Sequence, residues 1–421
     1  MTGGWAKAGL GATALAALVP AAGAVYCAVT GLWWGVAPAV LAQIAVHRLV
    51  PPLNRRLIAA IPPAEHAEVL GTVTAVYRRS SHFDAKLAAT QYSRALELGK
   101  QSRYEEALTA LDESVAVRRR LIVRQPHPHT GLLSGALGLR AAIRHELGRS
   151  DEVIADLTEA LTLEERTPGP DRPWMAGRRA ALADHLIEAD RPAEAVEPAR
   201  RAAEFLREHP AQDGELLSEV LDLLARALSR TGRPGEALAA QQELVGLLPE
   251  VEPGGPESAL PAAHLSHLAL LLRDCGQPEE ALLHARRSVE LVRRPESRSW
   301  ADDWTAKKVL WNLACVCAHL GRAEETTAAL RELALLSDED HEQSLADRML
   351  SAAEQLTTEG LLEQARFQGE LAAAGYRVLS ERSPGRYGAG LRRALSTQLR
   401  TLDLLGRDAE TDRIRTELAG M

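Results

Sequence analysis

The chain has 421 residues, of which 46% are hydrophobic, 25% charged and only 4% aromatic, with a net charge of −8. This balance excludes a disordered or collagen-like chain. Four Cys over such a length exclude a disulfide framework, and the acidic charge argues against a dedicated nucleic-acid binder.

The charge is unevenly placed. Residues 1–64 hold four cations (Lys7, Arg48, Arg55, Arg56) and no Asp or Glu, so they carry +4 of the total and the remainder carries −12. Two apolar runs lie there, Ala8–Val29 and Leu32–Val50, 22 and 19 residues long. Those lengths suit a hydrocarbon core of about 30 Å at about 1.5 Å per residue. The break at Thr30-Gly31 is too short for a domain linker, and Trp33 and Trp34 after it suit a membrane interface. Residues 1–60 therefore read as a two-helix transmembrane hairpin, and residues 61–84 as a juxtamembrane linker. A cleaved signal peptide ending near Ala22 or Ala24, or a buried cap on the following domain, are the alternatives. Cations flank both runs, so the positive-inside rule puts both ends and the acidic body on the cytoplasmic side of the cell membrane. Thiols stay reduced there, as the Cys usage requires.

From residue 85 to the end a self-similar unit recurs. Its clearest mark is a turn of the form Gly-Arg-x-x-Glu-Ala, as in Gly232–Ala237 and Gly276–Ala281, with variants at Gly148, Asp190 and Gly321. Weaker copies start at Ser102, Gly360 and Gly406, which gives eight turns about 43 residues apart. Before each turn stands a small residue: Ala95, Ala141, Ala183, Ala225, Ala269, Ala314 and Ala353, with Leu399 alone breaking the rule. Apolar residues around them recur at helical spacing, for example Leu221, Leu224 and Leu228. A small side chain lets two antiparallel helices approach closely. Gly supplies the left-handed end of the first helix, and Pro234 and Pro278 suit the start of the second.

This unit resembles the tetratricopeptide repeat, over roughly residues 85–421. Its long period is similar to that of the kinesin-light-chain-like subtype, and Trp311-Asn312-Leu313-Ala314 fits that subtype's Asn-Leu-Ala pattern. The resemblance implies an all-α fold: a right-handed superhelical solenoid of about eight helix-turn-helix repeats, preceded here by two apolar helices. It also implies a concave groove lined by the first helix of each repeat, where a peptide or helix of a partner protein docks. The groove positions correspond to Asp222, Arg226 and Arg230 in the fourth unit, His267 and Arg273 in the fifth, and Lys308, Trp311, Asn312 and His319 in the sixth. An Asn at the place of Asn312 binds the guest's main chain in that subtype, although the other units lack it. A solvated helix face is the plainer reading of Asn312 and of the Arg residues. Trp311 is either a groove anchor or a filler beneath the Trp300–Trp304 connector.

Signals for chemistry are poor. Gly9-x-Gly11 lies in an apolar run with no preceding strand. His127-Pro128-His129 has no nearby carboxylate or thiol, Cys315 and Cys317 point about 200° apart on one helix, and Asp338–Glu342 suits a helix N-terminus. No cofactor, metal or catalytic constellation is expected, and no nucleic-acid partner. The expectation is a membrane-anchored scaffold, with the bilayer engaged through residues 8–50 and self-association left open. The alternative is a peptide-sensing regulator whose effector lies elsewhere. The Arg-over-Lys skew and heavy Ala use suit a high-GC bacterial source.

Overall fold

The computed structural model describes residues 65–78, 83–124, 126–166, 173–209, 214–249, 251, 257–293, 303–337, 339–383 and 385–421. The two apolar runs, Ala8–Val29 and Leu32–Val50, lie outside these. Among the described residues no helix is long and apolar enough to cross a membrane.

The described residues form seventeen α-helices and no strand. The chain divides into two compact units, Met1–Phe205 and Leu206–Met421. The first unit contains α1 (His66–Tyr77), α2 (Asp84–Lys100), α3 (Tyr104–Arg124), α4 (Pro126–Glu146), α5 (Ser150–Glu165) and α6 (Pro173–Glu188). It ends within α7 (Pro192–Glu208). The second contains α8 (Gly214–Arg230), α9 (Pro234–Leu247), α10 (Ala259–Asp274), α11 (Pro278–Val292), α12 (Asp303–His319) and α13 (Ala323–Ala334). It closes with α14 (Glu339–Glu359), α15 (Leu362–Arg382), α16 (Gly388–Leu405) and α17 (Asp408–Ala419).

All eight expected turns are present. Ser102, Gly148, Asp190, Gly232, Gly276, Gly321, Gly360 and Gly406 each adopt a left-handed φ between 58° and 80°. At each, the amide of the next residue donates back to a carbonyl five residues earlier, from Arg103 N to Leu98 O through Arg407 N to Leu402 O, at 2.8–3.1 Å. This bond satisfies a helix-end carbonyl that would otherwise have no partner. Only at Ser102 and Asp190 does a side chain occupy the left-handed position, where a Cβ costs about 1 kcal/mol or more. Ser102→Gly is therefore expected to raise the stability of the first unit by about 1 kcal/mol. A fall in the denaturation midpoint would show that the Ser102 side chain contributes more than its backbone strain costs.

The small residues do what close packing asks of them. Ala95, Ala141, Ala183, Ala225, Ala269, Ala314 and Ala353 are all buried, as are Ala107, Ala195, Ala237, Ala281 and Ala365 after the turns. The Arg of the turn motif has a partner the motif already contains. Arg103, Arg191 and Arg233 each clasp the Glu three residues on with two hydrogen bonds at 2.7 Å. Four turn arginines also reach back to a glutamate of the preceding hairpin: Arg103 to Glu68, Arg149 to Glu105, Arg322 to Glu279 and Arg407 to Glu363, at 2.8–3.0 Å.

In both units each second helix packs on the first helix of the next hairpin, as between α3 and α4 or α9 and α10. The hairpin around Gly360 departs from this order. It is α15, its second helix, that packs against both α12 and α13, while α14 packs on α15 and α16. Arg366, near the start of α15, donates to the carbonyls of Ala318 and His319 at the end of α12. Arg382, at its far end, donates to Ala334 O at the end of α13. Thus α15 runs antiparallel to α12 and parallel to α13. The cause lies in composition. On α15, eleven of 21 residues are buried, including Leu371, Ala372, Ala373, Ala374, Tyr376 and Leu379, all round the helix. On α14 the buried positions are the single stripe Ala346, Leu350, Ala353 and Thr357. A helix with small and apolar residues on several faces, as at Leu371–Ala374, takes the interior place, and one with a single apolar stripe takes the outside.

Candidate functional site

The expected groove residues all belong to the second unit, on its first helices α8, α10 and α12. Four of them come together. Asp222 on α8 lies 3.7 Å from Arg226 and 3.4 Å from Nδ1 of His264 on α10. Burial pushes the Asp222 carboxyl up, but the hydrogen bond from His264 and the charges of His264, His267 and Arg226 outweigh it and hold the group below its ordinary value. His267 lies one helical turn beyond His264. Burial drives its imidazole down to about 4; Asp222 opposes this, while Lys308 of α12, His264 and Arg226 reinforce it. His267 is therefore neutral at pH 7, able both to donate and to accept a hydrogen bond. The exposed Lys308 holds its ammonium 5.3 Å above the ring of Trp304, which is itself 67% exposed.

The other expected residues are placed elsewhere. Arg230 is exposed in the last turn of α8. Arg273 lies at the C-terminal end of α10, bonded to Asp274, with its guanidinium 5.6 Å over Phe367 of α15. His319 meets the same ring edge-on at 6.4 Å. Trp311 packs against the core shared by α10, α12, α13 and α15. It lines an apolar recess with Leu330, Leu333, Met349, Leu371 and Val378 whose interior, about 30 Å³, is about the volume of one water molecule. Asn312 is buried and donates its side-chain amide to Ser266 Oγ at 2.6 Å, tying α12 to α10.

Sequence reasoning missed His264, Trp304 and Phe367. His264 had a signal, since it stands three residues before His267 and so on the same helix face. Trp304 had a weaker one, as an aromatic four residues before Lys308. Nothing in the sequence pairs Phe367 with Arg273, because that contact depends on the turned hairpin.

Among the described residues no group of three or more His, Cys, Asp or Glu is arranged to hold a metal ion. The side chains of His127 and Pro128 lie outside the description, whereas His129 is buried. Cys315 and Cys317 are free and buried, and burial pushes their thiols up to about 12 and about 11. Both are thus protonated packing groups at neutral pH.

Helix hairpins repeated at a regular period and closed by left-handed turns define a helical-repeat protein. Two stretches of the chain, residues 87–129 and 262–294, match the family model of the tetratricopeptide repeat. No curated protein matches the chain. Among solved structures it is similar to BtubC (BKLC) from P. vanneervenii, at 18% identity over 55% of this chain and 90% of that one, with a TM-score of 0.41. It is also similar to a putative kinesin light chain from Podosopora anserina with nearly identical TPR-like repeats, at 18% identity over 52% and 98%, TM-score 0.39. A third is YrrB, described as a TPR protein with an unusual peptide-binding site, at 14% identity over 52% and 93%, TM-score 0.38. Overlaps of this size leave the question of a ligand to this chain's own residues.

Proposed function

We propose that the chain is a non-catalytic interaction module whose second unit captures a peptide or helix of another protein on the exposed face of α8, α10 and α12. The observation that carries this reading is the convergence of Asp222, Arg226, His264, His267 and Lys308 from three successive first helices, with Trp304 standing exposed beside them. Exposed aromatic and cationic side chains in one place are the groups that dominate protein interfaces. A neutral, half-buried imidazole adds a donor and an acceptor suited to a guest's main chain.

The test is affinity capture by the full chain beside an Arg226→Ala, Lys308→Ala variant, with Arg286→Ala on the second helix α11 as control. The double variant is expected to bind its prey at least about tenfold more weakly, roughly 1.4 kcal/mol, at unchanged melting temperature. Equal capture by all three forms would place the working surface elsewhere.

The location is a further part of the proposal. We infer that Ala8–Val29 and Leu32–Val50 hold the chain in the cell membrane with the repeats on the cytoplasmic side. Support comes from the length of the runs, their lack of acidic residues and the cations flanking them. A chain lacking residues 1–60 should appear in the soluble fraction, and recovery with the membranes would exclude the tether.

A further inference from the structure

At the end of the second unit a carboxyl group is enclosed away from the candidate face. Glu370 of α15 is 2% exposed and its neighbour Gln398 of α16 is 1% exposed. Gln398 Nε2 donates to Glu370 Oε2. The two remaining oxygens, Glu370 Oε1 and Gln398 Oε1, are buried and have no hydrogen-bond partner. The helices are close here: a Cβ added at Gly369 would lie 3.7 Å from the Cα of Gln398. A buried acceptor left without a donor destabilises the fold, and an ionised one does so considerably more.

The surrounding cations do not repair this. Arg413 of α17 stops at 4.0 Å from Glu370 and is half exposed. Arg377, on the same helix, is engaged by Glu417 of α17 through two bonds at 2.8 and 2.9 Å. Arg366 is taken up by Glu363 and by the carbonyls of Ala318 and His319 at the end of α12. The charged groups that α14 and α13 bring to α15 are Asp347, Glu342 and Arg331. They pair with Tyr376, Arg382 and Glu381, well along the helix from Glu370. A proton on Glu370 supplies a single O–H that turns one orphaned oxygen into a donor and offers it to the other, closing a reciprocal acid–amide pair.

We propose that Glu370 is a neutral carboxylic acid in the folded protein at neutral pH, and that its pair with Gln398 is a proton-dependent latch holding α16 and α17 on α15. Burial, the largest influence on this carboxyl, pushes it above its ordinary value of 4.5 against the opposing pull of Arg377 and Arg413, the hydrogen bond from Gln398 and the charge of Arg366. The sign of the pH effect follows. A group raised in the folded state stabilises the fold fully below its unfolded value, and that stabilisation is lost as pH rises through the folded value.

The experiment compares the full chain with Glu370→Gln, which keeps a neutral, hydrogen-bonding side chain of the same shape. Above the ordinary carboxyl value of 4.5 the ratio of their unfolding constants is expected to change by up to about tenfold per pH unit until the folded value is passed, with the wild type losing ground as pH rises. Wild type alone gives a second reading. Amide exchange in α16 and α17, corrected for intrinsic rates, should speed up as pH rises toward the folded value of the Glu370 carboxyl, and that acceleration should be missing in Glu370→Gln. A protonated-carboxyl stretch in the infrared spectrum at neutral pH should disappear in the same variant. A constant ratio, pH-independent corrected exchange, or the absence of that stretch would each overturn the proposal.

Discussion

Asp156→Ala is expected to cost the first unit about 3–5 kcal/mol of unfolding free energy, the usual loss when a buried ion pair loses one member. Asp156 is buried on α5 and serves two cations of α4. Arg140 binds both its oxygens, at 2.9 and 2.6 Å, and Arg144 binds one at 2.6 Å. Removing the carboxylate leaves two guanidinium groups with side chains only 9% and 13% exposed. Arg140 keeps Asp112 at 2.8 Å and Arg144 keeps Glu152 at 2.9 Å, so the loss should fall toward the lower end. The contrast is Glu236→Ala, which breaks an equally short pair with Arg233. There both side chains are about half exposed, and the cost should stay below about 1 kcal/mol. Chemical denaturation of the two variants decides the matter, and similar losses would mean that burial does not set the worth of these pairs.

The second large effect concerns the space between helices. Ala314→Leu should destabilise the second unit by about 1–3 kcal/mol, because Ala314 is fully buried in the core that joins α10, α12, α13 and α15. The added atoms have nowhere to go without pushing α12 off its neighbours. At Leu399, in the matching place of the last hairpin, the larger side chain is already accommodated, partly exposed against the core cluster of α14 to α17. Leu399→Ala should therefore weaken the unit by opening space, not relieve strain. If Ala314→Leu left the melting temperature unchanged, the small residue would be incidental to helix approach.

The repeat was legible because it rests on local chemistry. A left-handed residue stands at all eight turns, an Arg and Glu three apart at six of them, and a small residue one helix back at seven, each fixed within a few positions. The cross-hairpin partners of the turn arginines were hidden, since they lie a whole period away. The turned hairpin was legible only in part. Its sequence repeats the motif weakly, and the consecutive small and apolar residues Leu371–Ala374 are the one local sign of a helix that takes the interior place. The candidate face shows the same division. Asp222, Arg226, His267 and Lys308 stand at groove positions that the resemblance implied, and they come together. Asn312 and Trp311 came from the same positions, but their environment depends on neighbouring helices: Asn312 bonds Ser266 and Trp311 packs against the core. The membrane runs belong to residues outside the description, so that part of the reading rests on hydropathy alone.

The turn arginines have a consequence for how the array responds to ionic strength. Each clasp to a Glu three residues on lies inside one hairpin, whereas each reach-back joins two hairpins. In a linear array, the first kind sets the intrinsic stability of a link and the second sets the coupling between links. Both kinds are exposed enough to be screened. The short-range clasps are held in register by helix geometry, while the reach-back pairs depend on the hairpins staying together. Added salt should thus erode communication along the array before it erodes the links themselves. It would broaden the melting curve and let a terminal hairpin peel away while its neighbours stay folded.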